Sequence, residues 1–397
     1  MENRQKVLFI GHDASRTGAA VLLLELIKWL ATHSSFQPSV LLKRGGELEP
    51  NYHTIAPTRC YAEENDKLNR GVHRRVLRTL RPSRIRQPDL ASLYPPKEYP
   101  VVYANTIDTC DIAMQLAGPG RSLVHHIHEL SHATDSLGAA EMLSRAVPKT
   151  DLYIAASQTV GEFLKTKIGV PRAKLQVVHS FAIAITPKDH QDETRKNLRR
   201  RLGISDDDFV VGMCGSPQWR KGTDLFVQLA AYVKRYLGLA KCHFVWVGGN
   251  SNSHRDSLYD VAQLGLQDIF HFIPAVPNPE AYFRVFDLFS LTSREEPFSV
   301  AMLQAAACGL PIVCFAGAGG AVELVENDAG IVVPYLDVSA MAKACVDLLL
   351  NANLRGQLGD KARAKVESRY LLALQGPKVL AVLETAASRA KRSHQRR

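Results

Sequence analysis

The clearest indication of the fold lies in residues 210–233, VVGMCGSPQWRKGTDLFVQLAAYV. The first five residues are a short apolar run, as expected of a buried parallel strand. The last eleven place apolar side chains at helical spacing, with Thr223 or Asp224 as a suitable helix cap. The glycine-containing loop between them joins strand to helix directly. Strand, short loop and helix in this order form the repeating unit of a parallel α/β sheet.

The same alternation of apolar runs and amphipathic stretches continues along the chain. It predicts strands at 6–11, 39–43, 101–105, 123–128, 152–156 and 175–179, and then at 210–214, 243–247, 269–273, 288–291, 311–315 and 331–333. We therefore predict an α/β protein with two tandem Rossmann-like, doubly wound domains that face each other across a cleft. Ligands of such sheets bind at the carboxyl ends of the strands.

A polar, highly charged stretch between the two sets of strands marks the predicted domain boundary. We predict an N-terminal domain over residues 1–185 and a linker over 186–205. A C-terminal domain is predicted over 206–372, and a C-terminal helix with a basic tail over 373–397.

Composition places the chain among ordinary folded proteins. Its 397 residues are 46% apolar and 22% charged, which excludes wholesale disorder, collagen and a coiled coil. The seven cysteines are widely spread, so neither a disulfide framework nor a Cys-x-x-Cys zinc or redox motif is present. The uncharged stretch 297–322 is interrupted by glycines and Pro311, and the start of the chain lacks a signal-peptide core. We expect no transmembrane segment and a reducing, cytoplasmic location.

The net charge of +10 is concentrated in two segments. Seven arginines and no acid occur from Arg70 to Arg86, and the tail after Glu384 is again basic without an acid. The first segment predicts a basic amphipathic helix that ends before Pro82. It is either an anionic-membrane contact or simply a solvated arginine face. Nucleic acid is not expected as a partner, because the segment lacks interleaved aromatic residues.

A group of polar residues follows the predicted strand 288–291, in the sequence SREEPFSVAMLQAAACGLP at 293–311. Glu296 lies in the loop, where its carboxylate can bind sugar hydroxyls. Ser299 and Val300 start a helix, whose free amides favour phosphate. Gln304 lies about one turn further, and its amide can bind ribose hydroxyls.

Two adjacent cations, Arg220 and Lys221, lie in the strand-to-helix loop of residues 215–222. Such a pair suits a diphosphate, and the alternative is a solvated basic loop. In the first domain, the loop from Gly11 to Ala20 does not have the G-x-G-x-x-G pattern. Gly18 still allows the start of a helix to approach an anion or a sugar hydroxyl. A tight turn without a ligand is an equally good interpretation of this loop.

These segments together resemble the C-terminal domain of the family-4 retaining glycosyltransferases, also called glycosyl transferases group 1, which have the GT-B fold. The matching pieces are 215–224, 247–249, 293–311, 319–323, 330–334 and Asp337. Their order and spacing agree over about 130 residues. The N-terminal half is similar more loosely, through Gly18 and through the strand-end histidine His128.

The resemblance implies that a sugar passes from a nucleotide-sugar to an acceptor with retention of configuration, without a metal ion or a further cofactor. It implies that residues 1–185 form the acceptor side and 206–372 bind the nucleotide-sugar. Glu296 and His128 would contact the transferred sugar, and Lys221 the diphosphate, with Arg220 as a second cation. Glu323 is a further matching donor-site residue. For His128, a core histidine is the competing interpretation.

The chain departs from the family pattern at two positions. Gln304 stands where the family has its second carboxylate, and Ser216 where the family has an arginine. We expect a carboxylate at 304 to be tolerated and to tighten donor binding, since it makes stronger hydrogen bonds to hydroxyls.

The predicted function is sugar transfer to a glycan or lipid-linked acceptor in cell-surface polysaccharide or glycolipid synthesis, on the cytoplasmic side and peripheral to the membrane. The alternative is a catalytically silent GT-B protein that binds a nucleotide-sugar. The nucleotide base, the sugar, the acceptor and the linkage stay open.

Overall fold

The computed structural model describes residues 5–68, 87–183, 193–237 and 241–395. Seven parallel strands form the first sheet: β1 Gln5–Gly11, β2 Phe36–Leu42, β3 Thr58–Cys60, β4 Val101–Asn105, β5 Ser122–Ile127, β6 Leu152–Ala155 and β7 Leu175–Val177. They lie side by side in the order β3-β2-β1-β4-β5-β6-β7. The strand order reverses between β1 and β4. Ligands of a doubly wound sheet bind at the carboxyl ends of the strands at this point.

Six parallel strands form the second sheet: β8 Phe209–Cys214, β9 Cys242–Val247, β10 Phe270–Ile273, β11 Leu288–Leu291, β12 Ile312–Phe315 and β13 Gly330–Val333. Their order is β10-β9-β8-β11-β12-β13. Here the order reverses between β8 and β11. The loop after β8 and the loop after β11 are therefore neighbours, although about 75 residues separate them in the chain.

Helices connect the strands of each sheet. Those of the first unit are Gly18–His33, Glu49–Ile55, Tyr61–Leu68, Leu90–Leu93, Cys110–Leu116, Ser131–Ser136, Ala140–Ala146, Gln158–Phe163 and Leu372–Gln395. Those of the second unit are Glu193–Arg201, Thr223–Leu237, Arg255–Gln263, Glu280–Phe283, Val300–Ala307, Ala321–Val325, Val338–Leu350 and Ala352–Lys365. Helices between successive parallel strands confirm the predicted α/β class. None of the helices described is long and apolar enough to span a bilayer.

The chain divides into two compact units, residues 1–178 with 375–397, and residues 179–374. The last helix, most of the predicted C-terminal segment, thus packs with the first unit. Gly376 allows this packing, because a Cβ there would lie 2.9 Å from the Trp29 ring.

Residues 193–205, predicted as part of the linker, belong to the second unit. The buried Arg195 and Arg199 donate hydrogen bonds to the carbonyl oxygen of Val285 at 2.8 and 3.2 Å. Arg199 also binds the carbonyl of Ser205 at 2.6 Å. Paired, buried guanidinium groups hold the segment against the sheet, so its high charge is not that of a solvated linker.

Two differences from the predicted strands concern the edge of the first sheet. β3 was not predicted, since Thr58–Cys60 is too short to show alternation. β2 begins at Phe36, three residues earlier than predicted, and therefore contains Pro38. Proline is tolerated there because β3 pairs with β2 only from Val40 onward, so the missing N–H faces no strand on that side. The predicted arginine-rich helix at 70–86 lies outside the described residues.

Candidate active site

Two glycines shape the loop that follows β8. Gly215 has φ 153° and Gly248, after β9, has φ 127°. A Cβ at Gly248 would lie 2.4 Å from the carbonyl oxygen of Gly215, so only glycine allows this approach. The indole N–H of Trp246 donates to the same oxygen at 2.9 Å. The two strand ends are thereby held together at the carboxyl edge of the second sheet.

Gly222 joins the same loop to the neighbouring strand β11. Its φ is 67°, and a Cβ would lie 2.1 Å from the carbonyl oxygen of Thr292. The Thr292 hydroxyl donates to the Gly222 carbonyl at 3.0 Å. This contact places Arg220 and Lys221 beside the loop that carries Glu296.

Glu296 is the centre of the resulting cluster. It is only 5% exposed, and its Oε2 pairs with the Lys221 ammonium. The Arg220 guanidinium lies 3.4 Å from the same oxygen, and the Ser293 hydroxyl donates to it at 3.2 Å. Two cations thus surround one carboxylate, which leaves the cluster with a positive charge available to an anionic ligand.

The ionisation of Glu296 follows from these neighbours. Burial by itself would raise the pKa of this carboxyl above its usual 4.5, but Lys221 and Arg220 stabilise the carboxylate and lower the pKa below that value. Glu296 is therefore ionised at neutral pH. It accepts hydrogen bonds and is a poor general base.

The backbone of Glu296 is fixed from the other side by the loop after β12. Its N–H donates to the Ala318 carbonyl at 2.7 Å, and its carbonyl accepts the Gly320 N–H at 3.0 Å. Gly319 has φ 135°, and a Cβ there would lie 1.9 Å from the Glu296 carbonyl oxygen. Loops after β8, β11 and β12 therefore meet at this residue.

The helix Val300–Ala307 begins directly behind Glu296. Buried Ser299 is its N-cap, with the hydroxyl accepting the Met302 N–H at 3.2 Å. The Ser299 side chain is thus occupied by capping, and a phosphate would meet the N–H groups of the first turn, including that of Val300.

Gln304 has a carboxylate partner that was not predicted from the sequence. Its side-chain N–H donates to Oε1 of Glu280 at 3.2 Å. Glu280 is half-buried and starts the short helix Glu280–Phe283. No motif marks Glu280, because its contact with Gln304 depends on how that helix packs against Val300–Ala307.

Glu323, the remaining candidate of the second unit, binds His179. Its Oε2 lies 2.8 Å from Nε2 of His179, whose ring packs 5.0 Å from Phe298 and 5.2 Å from Tyr370 between centroids. The Tyr370 hydroxyl donates to the Glu323 carbonyl at 3.1 Å. These contacts give Glu323 a structural partner, and its contact with a ligand stays a prediction.

His128 lies at the end of β5 in the first unit. Its Nε2 is 2.9 Å from Oδ1 of Asn105, and the Asn105 amide donates to the Ala19 carbonyl at 3.2 Å. Burial lowers the pKa of His128 to about 3, so the ring is neutral at pH 7. Nε2–H donates to Asn105, which leaves Nδ1 as the acceptor of the ring.

Other residues of this region lie in the core, begin a helix or hold His128 in place. His125 and His126 are buried core residues, with His126 Nδ1 2.5 Å from the Tyr103 hydroxyl. Gly18 is the first residue of the helix Gly18–His33. Glu129, which was not predicted as a site residue, accepts the backbone N–H of His128 at 2.9 Å and positions it. Within the described ranges, no group of three His, Cys, Asp or Glu residues is arranged to hold a metal ion.

The second unit is similar to a known protein family. Residues 208–351 match the family described as "Glycosyl transferases group 1". A D-inositol 3-phosphate glycosyltransferase of Salinispora arenicola is 29% identical over 266 residues, 62% of this chain and 59% of that protein. An alpha-galactosylglucosyldiacylglycerol synthase of Streptococcus pneumoniae is 31% identical over 153 residues, 36% of this chain and 38% of that protein. The chain spans about half the length of the curated relatives it matches.

The fold is shared with a solved structure. HepE of Anabaena, in complex with UDP and glucose, has a TM-score of 0.78 with 21% identity over 96% of this chain and 99% of that one. The likeness confirms two tandem Rossmann-like domains, the architecture called GT-B.

Proposed function

We propose that this chain, whose residues 208–351 match the group 1 glycosyl transferases, moves a sugar from a nucleotide-sugar to a glycan or lipid-linked acceptor. The observation that carries the proposal is the buried carboxylate of Glu296 held by two cations, Lys221 and Arg220. A carboxylate that binds hydroxyls beside cations that bind a diphosphate matches the two halves of a nucleotide-sugar.

The main catalytic contribution is stabilisation of the leaving group. The bond between the anomeric carbon and the diphosphate oxygen breaks, and negative charge develops on that oxygen. Lys221 and Arg220 neutralise it, with the helix start at Ser299 and Val300. Two cations face the single carboxylate of Glu296, so one positive charge of the cluster is available to the diphosphate.

We infer a retaining, front-face reaction. The acceptor hydroxyl forms its bond on the face that the diphosphate leaves, and a phosphate oxygen takes the acceptor proton. Glu296 has a lowered pKa and so is not suited to that proton transfer. Its role is to orient the sugar. That the neutral ring of His128 contacts a ligand stays a prediction.

We further propose that no metal ion and no cofactor other than the donor is needed, because Lys221 and Arg220 supply the charge that a divalent cation would. Gln304 and Glu280 form a pair that can bind ribose hydroxyls. Gly18 and Glu323 remain proposed ligand contacts.

The acceptor and the location are proposed from the chemistry of the chain. The arginine-rich segment 70–86 would hold the protein on the cytoplasmic face of an anionic membrane, where lipid-linked acceptors and nascent polysaccharides occur. The Streptococcus pneumoniae relative is named as a glycolipid synthase, which agrees with such an acceptor.

Nucleotide release tests the proposed function. The protein is incubated with UDP-, GDP- and ADP-sugars, with and without acceptors, in EDTA and in Mg²⁺. We expect release from at least one donor, undiminished by EDTA. Binding of a donor without release would identify a silent binding protein, and release that needs Mg²⁺ would contradict the metal-independent mechanism.

A further inference from the structure

An exposed indole lies directly beside the two cations of the Glu296 cluster. Trp219 is 59% exposed, although tryptophan is on average highly buried. It precedes Arg220 in the chain, so their Cα atoms are about 3.8 Å apart. Tryptophan is enriched at binding interfaces, because it presents a large apolar face together with a polar N–H.

Arg294 fixes the orientation of this ring. Its guanidinium carbon lies 5.0 Å from the Trp219 ring centroid, and its Nη1 donates to the Trp219 carbonyl at 2.9 Å. The same guanidinium forms a two-point pair with the Asp224 carboxylate at 2.8 and 2.6 Å. A planar pair of this geometry holds the guanidinium still, and the cation–π contact holds the ring. The indole is therefore ordered in solvent before any ligand binds.

A second exposed aromatic residue uses the same arginine. Tyr335 is 50% exposed, and its hydroxyl donates to the Arg294 carbonyl at 3.1 Å. Arg294 thus anchors two aromatic residues at one surface. Rings with polar groups at their edges suit a ligand that has an apolar C–H face and a rim of hydroxyls, which describes a pyranose.

We propose that Trp219 is a stacking platform for a pyranose ring of the acceptor glycan, with Arg294 as its positioning residue. The proposal rests on the proposed function, which assigns the donor sugar and diphosphate to the buried Glu296 and Lys221. Trp219 is 59% exposed whereas Glu296 is 5% exposed, so the indole lies outside the buried cluster. A sugar stacked on it is therefore part of the second substrate.

Tryptophan fluorescence tests the platform without turnover. The chain has three tryptophans, of which Trp246 is buried, so the difference between wild type and Trp219→Phe isolates the Trp219 signal. Maltose, cellobiose and chitobiose at millimolar concentrations should each be tried. We expect at least one to shift that signal to shorter wavelength and protect it from acrylamide, and Trp29→Phe, the matched control, to keep this response.

Kinetics give a second readout. Trp219→Ala should raise the acceptor KM about tenfold, the loss of roughly one stacked ring, with a much smaller effect on the donor KM. Tyr259→Ala removes another exposed aromatic residue, on the helix Arg255–Gln263, and should change neither. A larger effect on the donor KM would overturn the proposal.

Three other results would also overturn it: no response to any of the disaccharides, a Trp219 response to UDP alone, or a response to phosphatidylcholine vesicles. The fluorescence test needs no donor. A protein that releases no nucleotide but binds a disaccharide at Trp219 would therefore refute the enzymatic function and keep the platform.

Discussion

At the scale of single residues, Lys221 carries the sharpest consequence of the proposed function. Lys221→Ala should lower kcat/KM by about a hundredfold, roughly 3 kcal/mol, because one donor to the developing charge is lost. Steady-state nucleotide release measures this. Lys343→Ala, an exposed lysine on the helix Val338–Leu350, is the control and should behave as wild type. Equal activity of the two variants would exclude Lys221 from the donor site.

Glu296 makes a prediction about pH. Its folded pKa lies below the unfolded value of about 4.5, so its ionisation stabilises the fold above that pH and the contribution is lost as pH falls through the folded pKa. Glu296→Gln should lower the free energy of unfolding by about 3 kcal/mol at pH 7, because Lys221 and Arg220 lose their charged partner. The difference from wild type, measured by urea unfolding, should shrink as the pH falls from 4.5 through the lowered pKa of Glu296. A difference independent of pH would contradict the ion pair.

The contact between Gln304 and Glu280 reverses an expectation drawn from the sequence. Gln304→Glu would set a second carboxylate about 3.2 Å from that of Glu280, where like charges repel. We now expect the donor KM to rise, rather than fall, by about tenfold. The double variant Gln304→Glu with Glu280→Gln restores one charge and one amide and should recover most of the affinity. Tighter donor binding by the Gln304→Glu single variant would show that Gln304 and Glu280 do not bind the donor as a pair.

At the scale of elements, the loop after β12 depends on a missing side chain. Gly319→Ala would force a Cβ to 1.9 Å from the Glu296 carbonyl at a positive φ. We expect the free energy of unfolding to fall by about 2–4 kcal/mol and the transfer activity to be lost. Gly356→Ala is the matched control. Gly356 lies inside the helix Ala352–Lys365, and no atom lies within 4 Å of the position that a Cβ would take. The alanine should therefore stabilise the fold by up to about 1 kcal/mol. Thermal melts of both variants decide the matter.

The elements also show why the site is built from loops far apart in sequence. Because β8 and β11 are adjacent in the second sheet, the residues after them share one edge. Arg220 and Lys221 come from the first loop, and Glu296 comes from the second. The third loop, after β12, adds no side chain to the cluster and instead holds the Glu296 backbone.

At the scale of the whole molecule, the segment 70–86 predicts membrane association. Each arginine near an anionic surface contributes about 1 kcal/mol, so seven are sufficient without a membrane span. We expect sedimentation with phosphatidylglycerol vesicles and not with phosphatidylcholine vesicles, weakening with salt. Replacing Arg74, Arg75, Arg78 and Arg81 by glutamine should abolish it, while replacing Lys391 and Arg392 in the tail should not. Unchanged sedimentation of the first variant would make the segment only a solvated surface.

Much of the fold followed from local pattern. The strand limits at β4 and β11 agree with the sequence to the residue, since short apolar runs between polar loops define buried parallel strands. The glycines of the loops are visible in the sequence, but the carbonyl groups of Thr292 and Glu296 that require Gly222 and Gly319 come from other loops. The sequence by itself therefore determined the α/β class and the residues that carry charge at the strand ends.

Only the tertiary structure decided which of those residues meet. Sheet order brings Lys221 and Arg220 onto Glu296, and helix packing brings Glu280 onto Gln304. The same holds for the segment 193–205, whose arginines looked solvated until their carbonyl partners were known. Hydrophobic periodicity and secondary-structure propensity depend on residues that are neighbours in the chain. These pairs instead join residues that are far apart in the chain, and local pattern carries no information about such contacts.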